Sequence, residues 1–252
     1  MLTGLWEATS TASPSSASGR ADATKVAGRV DAAANFGIAT GAFVHEREDW
    51  DAAVAKAVFG RWRFVELTAI TEERLDSLVD FLQQEGQGAL EAFERVSIHA
   101  PVMVRTSVTV VAQTLAMLGR CFDVIVHPDL YGGERSLLRV GRRVVFENMD
   151  IEKSFGQGVA DLGSVFDAHP DAGFCLDVAH AWTNDPSLQL AHDLIDSFSH
   201  RLRQLHVSGI EPDGTHRPTT DADLDLYAPV LTRCEHVPWL LEAELVRSSP
   251  LV

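Results

Sequence analysis

No apolar run in this chain approaches the ~20 residues that a membrane-spanning helix needs, and the N-terminus lacks the basic-then-apolar order of a secretory signal. The expectation is a soluble, cytoplasmic protein with no membrane contact. Cysteine is scarce: Cys121, Cys175 and Cys234 make an odd count without a CxxC pair, which excludes a disulfide framework and a thiolate zinc site. All three are expected to be buried fillers. Positive charge is also short, with 21 Lys and Arg against 36 Asp and Glu and a formal net charge of −15. Nucleic-acid binders need a basic footprint to displace counterions from phosphates, so DNA is not the expected substrate. The densest basic stretch, RVGRR at 139–143, reads as a solvated face. There is no Walker or Rossmann glycine pattern, and FGQG at 155–158 is too short to stand for one, so no nucleotide cofactor is expected.

What is present is enough apolar matter for a large core, at 46% of 252 residues. Single α/β barrels commonly have this length. Residues 1–20 are rich in Ser, Ala and Thr without a period and read as a mobile leader, while 21–252 read as one barrel domain. Val26, Val30 and Ala33 recur at helical spacing, predicting an extra N-terminal helix over 21–34.

From there strand-like and helix-like periods alternate. Strands are predicted at 36–43, 63–69, 95–101, 122–128, 142–148, 172–178, 203–208 and 237–244. Helices are predicted at about 50–59, 72–84, 108–118, 162–168, 190–202 and 224–231, with YGGERSLLRVG left irregular. Thr71 suits the cap of the second helix, with Glu72 and Glu73 in its first turn and Leu75, Leu78, Val79 and Leu82 as its buried stripe. Eight mostly continuous apolar strands imply an α/β fold of the (β/α)8 TIM-barrel kind. Too few residues follow Glu244 for an eighth outer helix, so that helix is expected to be short or missing. The exposed flank would then be covered by the N-terminal helix or by a partner subunit, as in a homodimer.

Apolar strands do not ordinarily end in ionisable groups, yet these do. Glu147 in VVFEN, Asp177 in FCLDV, His206 in QLHVS and Glu242 in WLLEAE stand at the ends of strands 5 to 8, where barrel active sites lie. His99 and His127 close strands 3 and 4, His180 follows Asp177 by three residues, and His216 lies ten beyond His206. The first four would form a divalent metal site, and all eight converge on one mouth. His45, His169, His192, His200 and His236 fall outside this pattern and are read as ordinary helix and loop residues.

The series IHAPV, VIVHPD, VVFEN, CLDVAHAW, LHVSG with a following HRP, and LLEAE resembles the xylose isomerase-like TIM-barrel superfamily over roughly 36–244. That group joins sugar isomerases and epimerases with AP endonuclease family 2. Resemblance to the epimerase branch implies one ion (Mn²⁺, Mg²⁺ or Co²⁺) on Glu147, Asp177, His206 and Glu242. It also implies proton transfer by Glu147 and Glu242 on either side of a sugar carbon, through a metal-stabilised enediolate. His180 and Arg217 would hold hydroxyls of a small-molecule substrate, and His99, His127 and Glu66 would shape the pocket. Glu66 reads equally as a structural partner for a rim His or Arg.

Resemblance to the endonuclease IV branch implies instead that all eight rim residues are ligands of a multinuclear Zn or Fe site that hydrolyses phosphoesters. Three departures weigh against that branch, the net charge of −15 among them. Gly214 stands where its Asp-x-His pair needs Asp, and its basic DNA-contacting loops are not evident. A small phosphoester remains the runner-up substrate, and a non-catalytic barrel is the third reading.

Overall fold

The computed structural model describes residues 35–246 apart from Arg47 and Glu85. The predicted leader and the predicted helix over 21–34 lie outside the described residues.

The chain opens with β1 (Phe36–Ala39), a 3-10 turn and α1 (Trp50–Phe59), then β2 (Phe64–Thr68) and α2 (Glu72–Gln83). Next come α3 (Gly86–Leu90), β3 (Arg95–His99), α4 (Val108–Leu118), β4 (Asp123–Val126) and the single turn α5 (Pro128–Tyr131). A 3-10 segment, Arg135–Arg143, leads into β5 (Val144–Glu147), α6 (Val159–Ala168) and β6 (Gly173–Asp177). Two helices follow, α7 (Val178–Asn184) and α8 (Gln189–Phe198), before β7 (Leu202–Val207). Short strands β8 (Gly209–Ile210), β9 (His216–Arg217) and β10 (Thr219–Thr220) precede α9 (Asp221–Leu231), β11 (Trp239–Leu241) and β12 (Leu245–Val246).

Eight strands close into a parallel barrel in the order β1-β11-β7-β6-β5-β4-β3-β2, which is the predicted (β/α)8 architecture. Local chemistry sets the helix starts. Asp49 caps α1 by accepting from Ala52 N at 3.1 Å, and Thr71 caps α2 by accepting from Arg74 N at 3.2 Å. Leu75, Leu78, Phe81 and Leu82 form the buried stripe of α2, with Val79 only half-buried at its margin.

Most core side chains lie between the strands and the outer helices. Inside the barrel only Ile125, Val145 and Cys175 form a separate apolar cluster. Below them, Asp123 pairs with Arg95 and lies 3.8 Å from Arg203, a charged plug at the N-terminal end. Above them, the barrel axis is polar.

The structure corrects several boundaries. The first strand stops at Ala39 because Thr40–Ala42 turn into a 3-10 helix. Leu202 opens β7 rather than closing a helix, and α7 occupies residues expected to be loop. Cys121, expected to be buried, is exposed, because it sits in the turn between α4 and β4; Cys175 and Cys234 are buried.

Among the described residues no helix follows β11. Instead the chain returns at the rim, where β12 pairs with β10 and Thr219 N donates to Glu244 O at 2.8 Å. Across the β1–β11 seam, Phe36 pairs with Trp239 and Ile38 with Leu241, and all four are buried. No helix among the described residues is long and apolar enough to cross a membrane.

Candidate metal centre

Parallel pairing carries side chains of one parity to one side of a sheet, and the register lines up the rim residues. Thr68 pairs with His99, Glu147 with Cys175, Asp177 with His206, and His206 with Leu240. His127 follows β4 as the cap residue of α5, and Glu242 follows β11. His216 comes from further away. The β8–β9 hairpin sets it opposite Ile210, turning at Gly214, whose φ of +82° suits glycine.

The result is one continuous cluster. Glu147 is fully buried at its centre: Oε2 lies 3.3 Å from His99 Nε2 and 3.6 Å from His127 Nε2, and Oε1 lies 3.1 Å from His206 Nδ1 and 3.4 Å from His180 Nδ1. His206 Nδ1 is also 3.0 Å from Glu242 Oε1. His180 Nε2 meets His216 Nε2 at 3.1 Å, and His216 Nδ1 lies 3.6 Å from Glu242 Oε2. Asp177 caps α7 by accepting from His180 N at 2.6 Å, so one carboxylate both starts the helix and fixes the backbone of the next rim residue.

The donor atoms of Glu147, Asp177, His206 and Glu242 all lie within 4.8 Å of one another. Three further groups adjoin them: His99–His127–Glu147 shares Glu147 with the central group, Asp177–His180–His216 shares Asp177, and Glu66–His99–His206–Glu242 shares His206 and Glu242. Three carboxylates and an imidazole suit Mg²⁺, Mn²⁺ or Co²⁺, while the histidine-rich flanks suit softer ions.

Two observations test the fit to a cation. Ligands at right angles ~2.1 Å from one ion stand about 3.0 Å apart, and His206 Nδ1 stands 3.1 and 3.0 Å from Glu147 and Glu242. Asp177 Oδ2 and Glu242 Oε2 are buried with no hydrogen-bond donor, a condition costing roughly 1–3 kcal/mol per atom unless something else satisfies them. The central group therefore fits a divalent ion.

Electrostatics agree. Burial opposes the charged form of His99, but its hydrogen bond to Glu147 and the charges of Glu147 and Glu66 outweigh it and lift His99 to about 9. His180 likewise is disfavoured as a cation by burial, yet Asp177, Glu147 and Glu242 raise it to about 9. Burial prevails at His127, pushed down to about 3. It also drives Asp177 well above the usual carboxylate range, helped by the charges of Glu242 and Glu147. Glu147 goes the other way, since the surrounding imidazoles override its burial and hold it well below that range. The negative charge of this cluster thus favours the protonated form of His99, His180 and His206, while burial disfavours it at His127 and His216.

Glu66 and Arg217 make other contacts, with Glu66 grouped beside His99, His206 and Glu242. Glu66 is fully buried, and its Oε2 faces His206 Nε2 at 3.2 Å. Arg217 points along the hairpin, forked onto Asp223 at 2.8 and 2.7 Å and lying 3.2 Å from Glu211.

Several participants were missed. Asp150 lies 3.9 Å from His180 Nε2 on the loop after β5. Asn148 holds Asp177 in place, donating from Nδ2 to its carbonyl at 2.9 Å and accepting from its N–H at 2.8 Å. Gln204 and Ser97 reach Glu66 inside the barrel. Gln204 was legible, because it stands two residues before His206 and so shares its face. Asn148 and Asp150 follow the strand end in ENMD, and nothing in that loop's sequence marks their direction.

No family model matches the chain, and neither does any curated protein sequence. Nine chains of solved structures do match it. One of them, a D-tagatose 3-epimerase-like protein, is similar at a TM-score of 0.54 and 11% identity, over 83% of this chain and 90% of that one. At that identity the likeness carries the fold. The two chains share the closed, eight-stranded parallel barrel architecture.

Proposed function

We propose that this protein is a divalent-metal-dependent isomerase or epimerase of a sugar or related polyhydroxy ketone. The supporting observation is the convergence of Glu147, Asp177, His206 and Glu242 at the C-terminal mouth of the barrel. A barrel of the same fold occurs in the D-tagatose 3-epimerase-like protein, which adds weight to the sugar reading.

Glu147, Asp177, His206 and Glu242 would hold the ion. When bound, it would draw electron density from the substrate carbonyl and so acidify the adjacent C–H. Glu147 and Glu242 both approach His206 Nδ1, which sets the two carboxylates around one point. Glu242 has a buried Oε2 without a hydrogen-bond donor, which would take the proton. Glu147 is held ionised by the imidazoles around it and would serve as its counterpart.

Solvent deuterium entering the carbon beside the carbonyl of a ketose, followed by NMR across a panel of ketopentoses and ketohexoses, tests this reading. Glu147→Gln and Glu242→Gln should each slow exchange by about 10²- to 10⁴-fold. Chelation should stop it, and Mn²⁺ or Co²⁺ should restore it. Full activity in the chelated enzyme would sink the mechanism.

A second reading rests on the groups that adjoin the central one, which offer more ligands than one ion needs. It is a multinuclear hydrolase of a small phosphoester. It predicts two or three Zn or Fe ions per chain and phosphate release from model esters.

A further inference from the structure

We propose that Glu66 is a positioning residue that keeps the proton of His206 on Nε2, so that the lone pair of Nδ1 faces Glu147 and Glu242. This rests on the reading of the central group as a metal site.

The geometry inside the barrel carries it. Three donors converge on one oxygen of the fully buried Glu66. Ser97 Oγ donates to Oε2 at 2.9 Å, Gln204 Nε2 donates to it at 2.7 Å, and His206 Nε2 lies 3.2 Å away. Gln204 Nε2 also stands 3.0 Å from His206 Nε2, within donating reach, so Gln204 competes with Glu66 for that nitrogen, and the Glu66 carboxylate, as the charged partner, favours the Nε2–H form. Glu66 Oε1 has no partner, so the charge of the carboxylate is answered on the His206 side.

His206 itself is fully buried, with its two nitrogens facing opposite ways. Nε2 meets Glu66 below, while Nδ1 meets Glu147 and Glu242 above at 3.1 and 3.0 Å. An imidazole can give an ion only the nitrogen that lacks a proton. With Nε2–H donated to a carboxylate, Nδ1 is the free one, and the carboxylate also raises its basicity and fixes the ring plane. The Gln204 amide, 3.0 Å from Nε2, would without that anchor be its only close polar neighbour among the described hydrogen bonds. Its N–H could donate there, which would drive the proton to Nδ1, against the ion. Ser97 serves Glu66 alone and makes a control.

The test is a calorimetric titration of metal-free, full-length protein with Co²⁺, together with imidazole ¹H–¹⁵N NMR of the Zn²⁺-loaded wild type. Glu66→Gln keeps the side-chain volume and should weaken Co²⁺ binding by about 10- to 100-fold, whereas Ser97→Ala should stay within about threefold. In the zinc-loaded wild type, His206 should carry a slowly exchanging Nε2–H with Nδ1 on the metal. Unchanged affinity in folded Glu66→Gln overturns the proposal, and so does a wild-type His206 bound through Nε2, a measurement that needs no variant. A wild type that binds no divalent ion would fail the metal-centre reading itself and, with it, this proposal. That outcome differs visibly from a loss confined to Glu66→Gln.

Discussion

Burying a carboxylate costs several kcal/mol unless it is paired, and this barrel buries Glu66, Glu147 and Asp177 and half-buries Glu242 within reach of five histidines. Hydrophobic packing does not account for them, since the separate apolar cluster beside them among the described residues is small: Ile125, Val145 and Cys175. Charge at the rim is otherwise neutralised locally. Asp223 accepts the fork of Arg217 and completes the capping box of α9 with Thr220. Burial opposes its charge, but those bonds hold its carboxyl below the usual aspartate range. Its stabilisation is therefore full above the unfolded aspartate value of about 3.9 and fades as pH falls through the lower folded value. Asp223→Asn should cost about 1 kcal/mol at pH 7 and less at pH 3, by urea melts at both pH values.

Six of the eight rim ligand types were readable because each closes an apolar strand, and His180 and His216 from their spacing to Asp177 and His206; the structure brings all eight together. Direction was harder to read. Glu66 lies in strand RFVELTA as the others do, yet it faces a layer below the mouth, because Glu66 pairs with Ser97 while Thr68 pairs with His99. A difference of two residues along β2 separates the interior from the rim, and a strand's sequence does not say where the barrel's mouth begins.

At the level of elements, the period of alternation located all eight barrel strands, while their ends were overrun by one to four residues. Phe43 and Ala42 are buried like strand residues although the backbone has already turned. The helix α7 was hidden because Asp177 ends β6 and caps the helix at once, leaving no loop residues to mark the change. The β8–β9 hairpin carried a signal in Asp213-Gly214, a favoured turn pair, but strands of two residues leave no alternation to accompany it.

Closure of the barrel depends on close approach at β1. A Cβ on Gly37 would meet Phe64 Cβ at 2.6 Å and Phe64 O at 2.7 Å. Gly37→Ala should therefore destabilise the fold by about 1–3 kcal/mol, seen as a lower urea midpoint. A midpoint equal to the wild type would show that β1 and β2 can separate without cost.

For the whole molecule, length and composition foretold a large core, and the strand series foretold the closed barrel. How the β1–β11 flank is covered was not legible, because an outer helix and a partner subunit bury the same apolar residues. The net charge of −15 sets the molecule against polyanions, while its interior draws carboxylates towards one point. Those two facts favour a cation as the resident group and a small neutral molecule as the substrate. Counting the ions resolves more than any single substitution. Elemental mass spectrometry of the natively purified full chain should find at least one divalent ion per molecule, lost in Asp177→Asn while the barrel stays folded. One ion favours the isomerase, and two or three favour the hydrolase. A folded wild-type chain that holds none, and takes up none when Mn²⁺, Co²⁺ or Zn²⁺ is supplied, would contradict the account.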